Sequence, residues 1–243
     1  VKADGFDLVD DFSDLFGMNA AGTDAKMRNT KESILEAQFT SGAGNWCTWM
    51  FGRDLVNWNN NFTWAKWVTP SRDLISAFKQ EGDEVRFKES IVYYDCNWSN
   101  YYPSDNYPFM YKCRSANSSI IKYRYADVLL LKAEALIMQD TPDLEGAADI
   151  IDKVRDRAKL GALPTSVRSN KNAMLNALLK ERRLELAFEG QRWFDLVRLD
   201  KVEEVMNAVY AKDSGRKAQI YTFDKNSYRL PIPQSVIDAN DKI

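Results

Sequence analysis

Two consecutive segments between residues 123 and 158 carry apolar residues at helical spacing, and this pattern limits the possible folds more than any other feature. In YRYADVLLLKAEALIM, the apolar positions are Ala126, Leu129, Leu130, Ala133, Leu136 and Ile137. In the second segment, they are Leu144, Ala147, Ala148, Ile151 and Val154. This spacing predicts two antiparallel helices that approach closely through their alanines, as in TPR-like helix pairs.

Further helices are predicted around and after this pair. Thr141 and Pro142 are suited to begin the second helix, with the threonine as N-cap and the proline at the first helical position. A third helical stretch is predicted from about residue 172 to residue 199, with a break near Gly190. A further helix is predicted over about residues 202–210.

The first half of the chain and the tail favour extended structure. Apolar residues alternate in SILEAQF at residues 33–39, and VRFKESIVYY at residues 85–94 is rich in strand-forming residues, so short strands are predicted there. The tail YRLPIPQSVIDAN contains two prolines and is predicted to be extended. The expected fold is therefore mostly α-helical, with TPR-like helix pairs, long aromatic loops and a few short strands.

The composition excludes several classes of function. The sequence has no histidine, so it lacks the usual general base near neutral pH and the commonest zinc ligand. Its 33 lysines and arginines nearly balance 35 aspartates and glutamates, so no strong positive field indicates a nucleic acid or an anionic lipid surface as partner. We therefore predict no cofactor, no metal site and no nucleic-acid partner.

The cysteines and the N-terminus leave two questions open. Cys47, Cys96 and Cys113 are too few and too scattered for a disulfide framework, so a Cys96–Cys113 pair and buried free thiols are alternatives. No apolar run has the length of a membrane span, and the N-terminal residues lack the features of a signal peptide. An intact secreted protein needs such a signal, so we expect either a cytoplasmic chain or one whose beginning is missing.

Four separated segments together resemble the SusD/RagB family. They are KESILEAQF, TPSRDLISAFKQEGDEVRF, IIKYRYADVLLLKAEAL with its trailing DKVRDRA, and ERRLELAFEGQRWFDLVRL followed by YRLPIPQSVIDAN. Their order and spacing cover nearly all of the chain. The resemblance implies a helix-rich fold built on TPR-like pairs, in a non-catalytic lipoprotein of the outer membrane that presents oligosaccharide to a SusC-like TonB-dependent transporter at the cell surface.

The resemblance also implies how the chain is organised. The chain begins near the middle of the family pattern, so the lipid-anchor cysteine is expected outside it, and Cys47 lacks the lipobox of such an anchor. Contact with the membrane is therefore expected only through an anchor absent from this chain. Residues 1–122 are expected to form a loop-rich, ligand-facing part, and residues 123–243 a helical core with an extended tail.

The densest candidate site is a connection at residues 41–69, called here the tryptophan connection. It contains five of the seven tryptophans: Trp46, Trp49, Trp58, Trp64 and Trp67. Sugar rings stack their C–H faces on aromatic planes, while amide and acid side chains bind the hydroxyl groups. The polar side chains here are Asn45, Arg53, Asp54, Asn57, Asn59, Asn60 and Asn61. We predict that two or three of the five rings face the glycan and that the others pack in the core.

A weaker candidate lies in YYDCNWSNYYPSDNY. Trp98, Tyr101 and Tyr102 are suited to form a second wall of the same site, although proline and asparagine favour the interpretation of an ordinary irregular loop.

The charged string ERRLELAFEGQRWFDLVR is interpreted as structural. Its opposite charges stand three residues apart on a helix: Arg182 and Glu185, Glu189 and Arg192, Arg192 and Asp195, and Asp195 and Arg198. A catalytic acid needs an isolated carboxyl group with a raised pKa, whereas interleaved charges satisfy one another. We expect this string to fix its helix against the 123–158 pair, with Arg124, Asp127 and Glu134 on the other side.

Two alternative functions remain open. A glycosidase that works with carboxylates alone needs no histidine, and a pair would come from Asp54, Asp73, Glu81 and Asp95. The second alternative is a TPR-like scaffold that binds a peptide or a protein.

Overall fold

The structure is a computed structural model that describes residues 5–40, 44, 69–97, 99–212 and 222–240. Its helices are α1 Ser13–Phe16, α2 Arg72–Glu81, α3 Glu84–Ser90, α4 Tyr125–Met138, α5 Leu144–Arg157, α6 Thr165–Arg168, α7 Lys171–Glu185, α8 Arg192–Arg198, α9 Val202–Lys212 and α10 Gln234–Asp238. Its strands are β1 Ser33–Ala37, β2 Ile91–Tyr94, β3 Tyr107–Met110 and β4 Ile120–Arg124. The prediction of a mostly α-helical chain with a few short strands is confirmed.

The predicted helix pair forms the largest core. Helices α4 and α5 pack against each other, and Ala126, Ala133 and Ala148 have no exposed surface. Met174 and Leu178 of α7 pack into the same cluster. Because alanine has a small side chain, the helices approach closely enough to exclude solvent along the whole contact. The predicted pair and its buried alanines are confirmed.

The start of α5 differs from the prediction. The N-cap is Asp143, whose Oδ1 accepts a hydrogen bond from the Gly146 backbone N–H at 2.9 Å. Thr141 and Pro142 lie before the helix, so their predicted roles as N-cap and first helical residue are wrong. Aspartate caps a helix at least as well as threonine does, and it stands closer to the first apolar residue of the face, Leu144.

The strand predicted over residues 85–94 is wrong in its first part. Residues Glu84–Ser90 form helix α3, and only Ile91–Tyr94 form a strand. Asp83 caps this helix by accepting a hydrogen bond from the Arg86 backbone N–H at 3.1 Å. The helix brings Arg86 into the interior, where it contacts distant carboxylates. The cap and the charged residues of this segment favour a helix over the strand that Val85 and Phe87 indicate.

Two small antiparallel sheets complete the first half of the described chain. β1 pairs with β4, and β2 pairs with β3 in the register Ile91↔Met110 to Tyr94↔Tyr107. The strand predicted in SILEAQF is confirmed over residues 33–37. β3 is buried along its whole length, and the described residues 95–97 and 99–106, which join it to β2, form a loop that is largely exposed apart from Cys96.

The end of the long helical stretch also follows the prediction. Helix α7 ends at Glu185, and the backbone reverses through Phe188 and Gly190, both with positive φ, before α8 begins. The predicted break near Gly190 and the predicted helix after residue 202 are confirmed. The tail is not simply extended, because Lys225–Tyr228 form a 3-10 turn capped by Asp224, and α10 follows Pro233.

The chain divides into two compact units, Val1–Arg192 and Trp193–Ile243. In the second unit, the Tyr210 and Phe223 rings lie 5.4 Å apart, and the Asn207 side chain bonds both the N–H and the carbonyl oxygen of Phe223 at 2.9 Å. The predicted division at residue 122 stays a prediction. None of the helices in the described ranges is both long and apolar enough to span a membrane.

Candidate functional site

A cavity of about 790 Å³, called here the loop pocket, lies at the exposed loop between β2 and β3. Its lining includes Arg72, Asn97, Ser99, Asn100, Tyr101 and Tyr102. The volume falls within the range of small-molecule binding sites, about 300–1,000 Å³. Aromatic rings, amides and a guanidinium group therefore meet in one place.

The aromatic wall of the loop pocket has a defined geometry. The Tyr101 and Tyr102 ring centroids lie 4.9 Å apart with the planes nearly perpendicular, at 87°. The Tyr102 ring meets that of Tyr107 in the same edge-to-face manner at 5.5 Å. Edge-to-face packing is a favourable arrangement of aromatic rings, and it fixes both tyrosines of the pocket against the buried strand β3.

Arg72 joins the pocket to helix α2. Its guanidinium carbon lies 4.2 Å from the Tyr101 ring centroid and 4.5 Å from that of Tyr102. The guanidinium also donates a hydrogen bond to the Tyr101 carbonyl oxygen. Arg72 is the first residue of α2, directly after the N-cap Ser71, so the start of this helix positions the cation beside the two rings.

The loop is held in place by backbone and hydroxyl hydrogen bonds. The Cys96 N–H donates to the Ser104 carbonyl oxygen at 2.6 Å, which closes the loop at its base. The Ser99 and Tyr107 hydroxyls lie 3.2 Å apart, and Cys96 is a buried free thiol. Of the two alternatives for Cys96, the free thiol is therefore the correct one.

Two contacts tie the loop to the end of the tryptophan connection. The Tyr102 hydroxyl donates a hydrogen bond to the Pro70 carbonyl oxygen at 2.7 Å. The Thr69 hydroxyl lies 3.3 Å from the Tyr107 hydroxyl. Thr69, the last residue of the tryptophan connection, and Pro70 after it are thus fixed against the wall of the loop pocket.

A separate cluster of buried charges lies between the helices. Glu185 accepts hydrogen bonds from Arg86 at 2.9 Å and from Arg124 at 2.5 Å, and Arg157 also bonds it. Glu32 bridges Arg124 and Arg157 at 2.6 and 3.0 Å. These side chains are at least 95% buried. We call this set, Glu32, Arg86, Arg124, Arg157, Glu181 and Glu185, the buried charge cluster.

The cluster agrees with the structural interpretation of the charged string and changes its geometry. Glu185 and Glu189 bind arginines from other segments, with Arg124 Nε 2.7 Å from Glu189 Oε2. Arg182 reaches Asp127 of α4 at 2.8 Å, as the predicted packing against the helix pair requires. Burial would raise the pKa of Glu185, but Arg157, Arg124 and Arg86 outweigh it and hold that pKa well below its ordinary value.

Lys112 lies at the edge of the buried charge cluster. Its ammonium donates hydrogen bonds to Glu189 Oε1 at 2.6 Å and to the Glu185 carbonyl oxygen at 2.9 Å. Burial lowers the pKa of Lys112 to about 8, although Glu189 opposes this shift. Each charge of the cluster has an opposite charge beside it, which is typical of a structural network, although Arg86 Nη2 and Arg157 Nε donate no hydrogen bond within the described residues.

The carboxylates considered for glycosidase chemistry have other partners. Asp73 accepts a hydrogen bond from Arg183 at 2.5 Å, and Glu81 binds both Arg155 and Lys180. Burial raises the pKa of Glu81, but Lys180 and Arg155 outweigh it, so this pKa lies below its ordinary value. A general acid needs the opposite shift. Asp95 is exposed in the loop, and Asp54 lies outside the described residues.

One comparison decides the family. The model of the SusD family matches residues 105–243, which is more than half of the chain. The chain belongs to the SusD family. The resemblance inferred from the four sequence segments is therefore confirmed.

Relatives and solved structures agree with this assignment. SusD-like protein P38 from Formosa agariphila is 42% identical over 99 residues, which cover 38% of this chain and 19% of that protein. Surface glycan-binding protein A from Bacteroides uniformis has a TM-score of 0.72 at 19% identity, over 100% of this chain and 53% of that one. A laminarin-binding SusD-like protein has a TM-score of 0.64 at 23% identity, over 97% and 52%. This chain thus spans about half the length of these structures, and their likeness establishes the SusD-like fold.

The residues predicted to bind ligand are not among those that the structure describes. Trp46, Trp49, Trp58, Trp64, Trp67, Asn45, Arg53, Asp54 and Asn57 all lie outside the described residues, as does Trp98. Of the weaker candidates, Tyr101 and Tyr102 line the loop pocket. Within the described ranges, no group of three or more acidic or cysteine side chains is arranged to hold a metal ion.

Sequence reasoning did not find Arg72. It lies in the quoted segment TPSRDLISAFKQEGDEVRF, but 29 residues separate it from Tyr101, and no local pattern connects the two. The available signal is the Ser71 cap, which places the next residue at a helix N-terminus.

Proposed function

We propose that this SusD-family protein binds oligosaccharide without cleaving it, at a site formed by the loop pocket and the tryptophan connection. The observation that carries the proposal is the tie between them. Tyr102 bonds Pro70, and Tyr107 contacts Thr69, two residues after Trp67 in the sequence. The cavity has aromatic and polar side chains, and the sequence that leads to Thr69 is rich in tryptophan and asparagine, so both supply the kinds of group that sugar binding needs.

The polar groups of the loop pocket suit sugar hydroxyls. Asn97 and Asn100 are exposed amides, each of which offers a donor and an acceptor, and Ser99 adds a hydroxyl. The Tyr101 and Tyr102 rings are half-buried, so part of each ring remains available for stacking. Such a site discriminates by shape and hydrogen bonding and needs no strong charge.

The absence of bond cleavage is part of the proposal. Asp73 and Glu81 are engaged by cations, and the lowered pKa of Glu81 makes it a poor general acid. The named relatives support binding as well, since one is described as a surface glycan-binding protein and another as laminarin-binding.

The proposal also includes the delivery of the bound glycan to a transporter. In this account the bound glycan passes to a SusC-like TonB-dependent transporter, and a lipid anchor outside this chain holds the protein at the outer-membrane surface. Family membership supports both statements. Copurification tests the assembly: the tagged full-length protein is isolated from its own cells and is expected to carry the transporter with it. Cells without the transporter gene are the control.

A glycan array followed by a cleavage assay tests the binding function. The full-length protein is expected to retain at least one class of polysaccharide, and prolonged incubation with that polysaccharide is expected to release no new reducing ends. Release of reducing ends, lost on Glu81→Gln, would replace the proposal with the glycosidase alternative. Retention of peptides but of no glycan would favour the scaffold alternative.

A further inference from the structure

A second cavity, of about 450 Å³, has described lining residues that are all different from those of the loop pocket. It lies where the turn after α1 meets the ends of β2 and β3. Its lining includes Asn19, Lys26, Glu89, Tyr94, Tyr111 and Arg114. We call it the turn pocket.

Arg114 gives the turn pocket a charged hydrogen-bond donor. The residue is 5% exposed. Its Nε donates to the Tyr111 carbonyl oxygen at 2.9 Å, and its Nη2 donates to Glu89 Oε2 at 2.7 Å. Its Nη1 donates to no group in the part of the chain that the structure describes. A charged N–H group on a residue that lines a cavity can donate a strong hydrogen bond to a ligand there.

Glu89 gives a matching acceptor beside this donor. Glu89 is 9% exposed. Its Oε2 and its carbonyl oxygen both accept hydrogen bonds from Arg114 Nη2. Among the described residues, none donates to its Oε1. The pair thus leaves one donor and one acceptor on neighbouring planar groups. Two adjacent hydroxyls of a sugar ring need this combination, because each hydroxyl both donates and accepts.

Two aromatic side chains of the turn pocket lie beside this polar pair or line the same cavity. The Arg114 guanidinium lies 3.6 Å from the Tyr111 ring centroid, which fixes both planar groups. Tyr94 lines the same cavity with a half-buried ring that packs 6.3 Å from Phe109. A C–H face of a pyranose requires such an aromatic surface next to the polar pair.

The charges around the turn pocket select for a neutral ligand. Arg114 is balanced by Glu89, and Lys26 is balanced by Asp11 at 3.1 Å and Asp14 at 2.7 Å. An anionic sugar that bound its carboxylate to Arg114 would also place it beside the Glu89 carboxylate. Repulsion there offsets the attraction.

We propose that the turn pocket is a second carbohydrate subsite, which binds one neutral pyranose unit independently of the loop pocket. The choice of ligand class rests on the proposed glycan-binding function. Arg114 Nη1 and Glu89 Oε1 bind neighbouring hydroxyls, and Tyr94 supports the ring. Two separated subsites on one protein raise the avidity for a polymer that reaches both.

Nuclear magnetic resonance of the protein with ¹³C-labelled tyrosine rings tests this subsite directly. The probes are the neutral hexasaccharides of laminarin, cellulose, xylan and mannan, with hexagalacturonate as the anionic control. At least one neutral probe is expected to shift the Tyr94 and Tyr111 signals in a saturable manner, in wild type and in Tyr101→Ala alike. Tyr94→Ala is expected to weaken that binding about fivefold, read at Tyr111, and Tyr94→Phe is expected to preserve it.

The outcomes separate this subsite from the proposed function. Shifts at Tyr101 and Tyr102 without shifts at Tyr94 and Tyr111 overturn the second subsite and leave the loop pocket standing. Shifts only at Tyr94 and Tyr111 support the second subsite and contradict the loop pocket. Loss of the Tyr94 and Tyr111 shifts in Tyr101→Ala, or equal shifts with hexagalacturonate, also overturns the inference. Unchanged melting temperature of the variants shows that the effects do not arise from unfolding.

Discussion

Arg86 and Glu181 lie 95 residues apart in the sequence, yet Arg86 Nη1 donates a hydrogen bond to Glu181 Oε1 at 2.6 Å. The exposed fractions of the two side chains are 0% and 2%. Arg86 also binds Asp83 at 2.5 Å. This single arginine thus joins helix α3 to helix α7 through the interior of the first unit.

Replacement of Arg86 by alanine is expected to lower the free energy of unfolding by about 3–5 kcal/mol, because buried carboxylates lose their counter-charge. Urea denaturation followed by circular dichroism measures this change. Lys31→Ala is the matched control, since its ion pair with Asp10 is exposed and such pairs contribute about 0–1 kcal/mol. Equal effects of the two substitutions would contradict the structural role of the buried charge cluster.

The second prediction concerns the pH dependence of stability. The folded-state pKa of Glu185 is held well below its ordinary value of 4.5 by Arg157, Arg124 and Arg86, which outweigh the effect of burial. A lowered carboxyl pKa contributes stability that is complete above 4.5 and is lost as the pH falls towards the folded-state value. Acid therefore removes the contribution of Glu185.

Glu185→Gln is expected to make the free energy of unfolding less dependent on pH below 4.5, because the amide does not titrate. Urea unfolding over a series of acidic buffers measures the two slopes. Lys153→Ala, which removes an exposed pair with Asp7, serves as the control and is expected to keep most of the wild-type slope. Parallel curves for wild type and Glu185→Gln would contradict the assigned shift.

The third prediction concerns the start of helix α5. Asp143→Ala is expected to destabilise the protein by about 1 kcal/mol, the usual effect of removing an N-cap side chain. Thr141→Ala, two residues earlier, is expected to have little effect because Thr141 lies outside the helix. Urea denaturation of both variants decides between the two caps, and a larger effect of Thr141→Ala would restore the sequence-based assignment.

The fourth prediction separates stability from ligand binding. Arg182 binds Asp127 across the contact between α7 and α4, and both residues are buried. Arg182→Ala is expected to lower the free energy of unfolding by about 3 kcal/mol and to leave the glycan affinity of the folded fraction unchanged. Titration calorimetry below the melting temperature measures that affinity. A large loss of affinity at unchanged melting temperature would place Arg182 in the site.

The helices were predictable because their signal is local. Ala126 and Ala133 lie on the apolar face of α4, and Ala148 lies on that of α5, so periodicity alone indicates that they are buried. The break near Gly190 follows from the same kind of signal, a residue that tolerates positive φ. Arg182 and Asp127 were also assigned to a structural network from their helical positions.

The structural features that the sequence did not predict depend mainly on contacts between residues that are far apart in the chain. Helix α3 contains Val85 and Phe87, which favour strands, and its Arg86 contacts carboxylates more than ninety residues away. Arg72 enters the loop pocket only because α2 begins beside Tyr101. The N-cap at Asp143 is instead a local feature, since aspartate is the better cap and directly precedes Leu144.

Titration calorimetry with the oligosaccharide chosen on the glycan array tests the binding site most directly. The protein series is the full-length wild type, Tyr101→Ala, the five single Trp→Ala variants of the tryptophan connection, and Tyr123→Ala. Tyr123 is 56% exposed and does not line the loop pocket, so its replacement is the matched control. Tyr101→Ala and at least two of the tryptophan variants are expected to weaken binding by about 1 kcal/mol or more, at unchanged melting temperature. Wild-type affinity in Tyr101→Ala and in all five tryptophan variants would contradict the account.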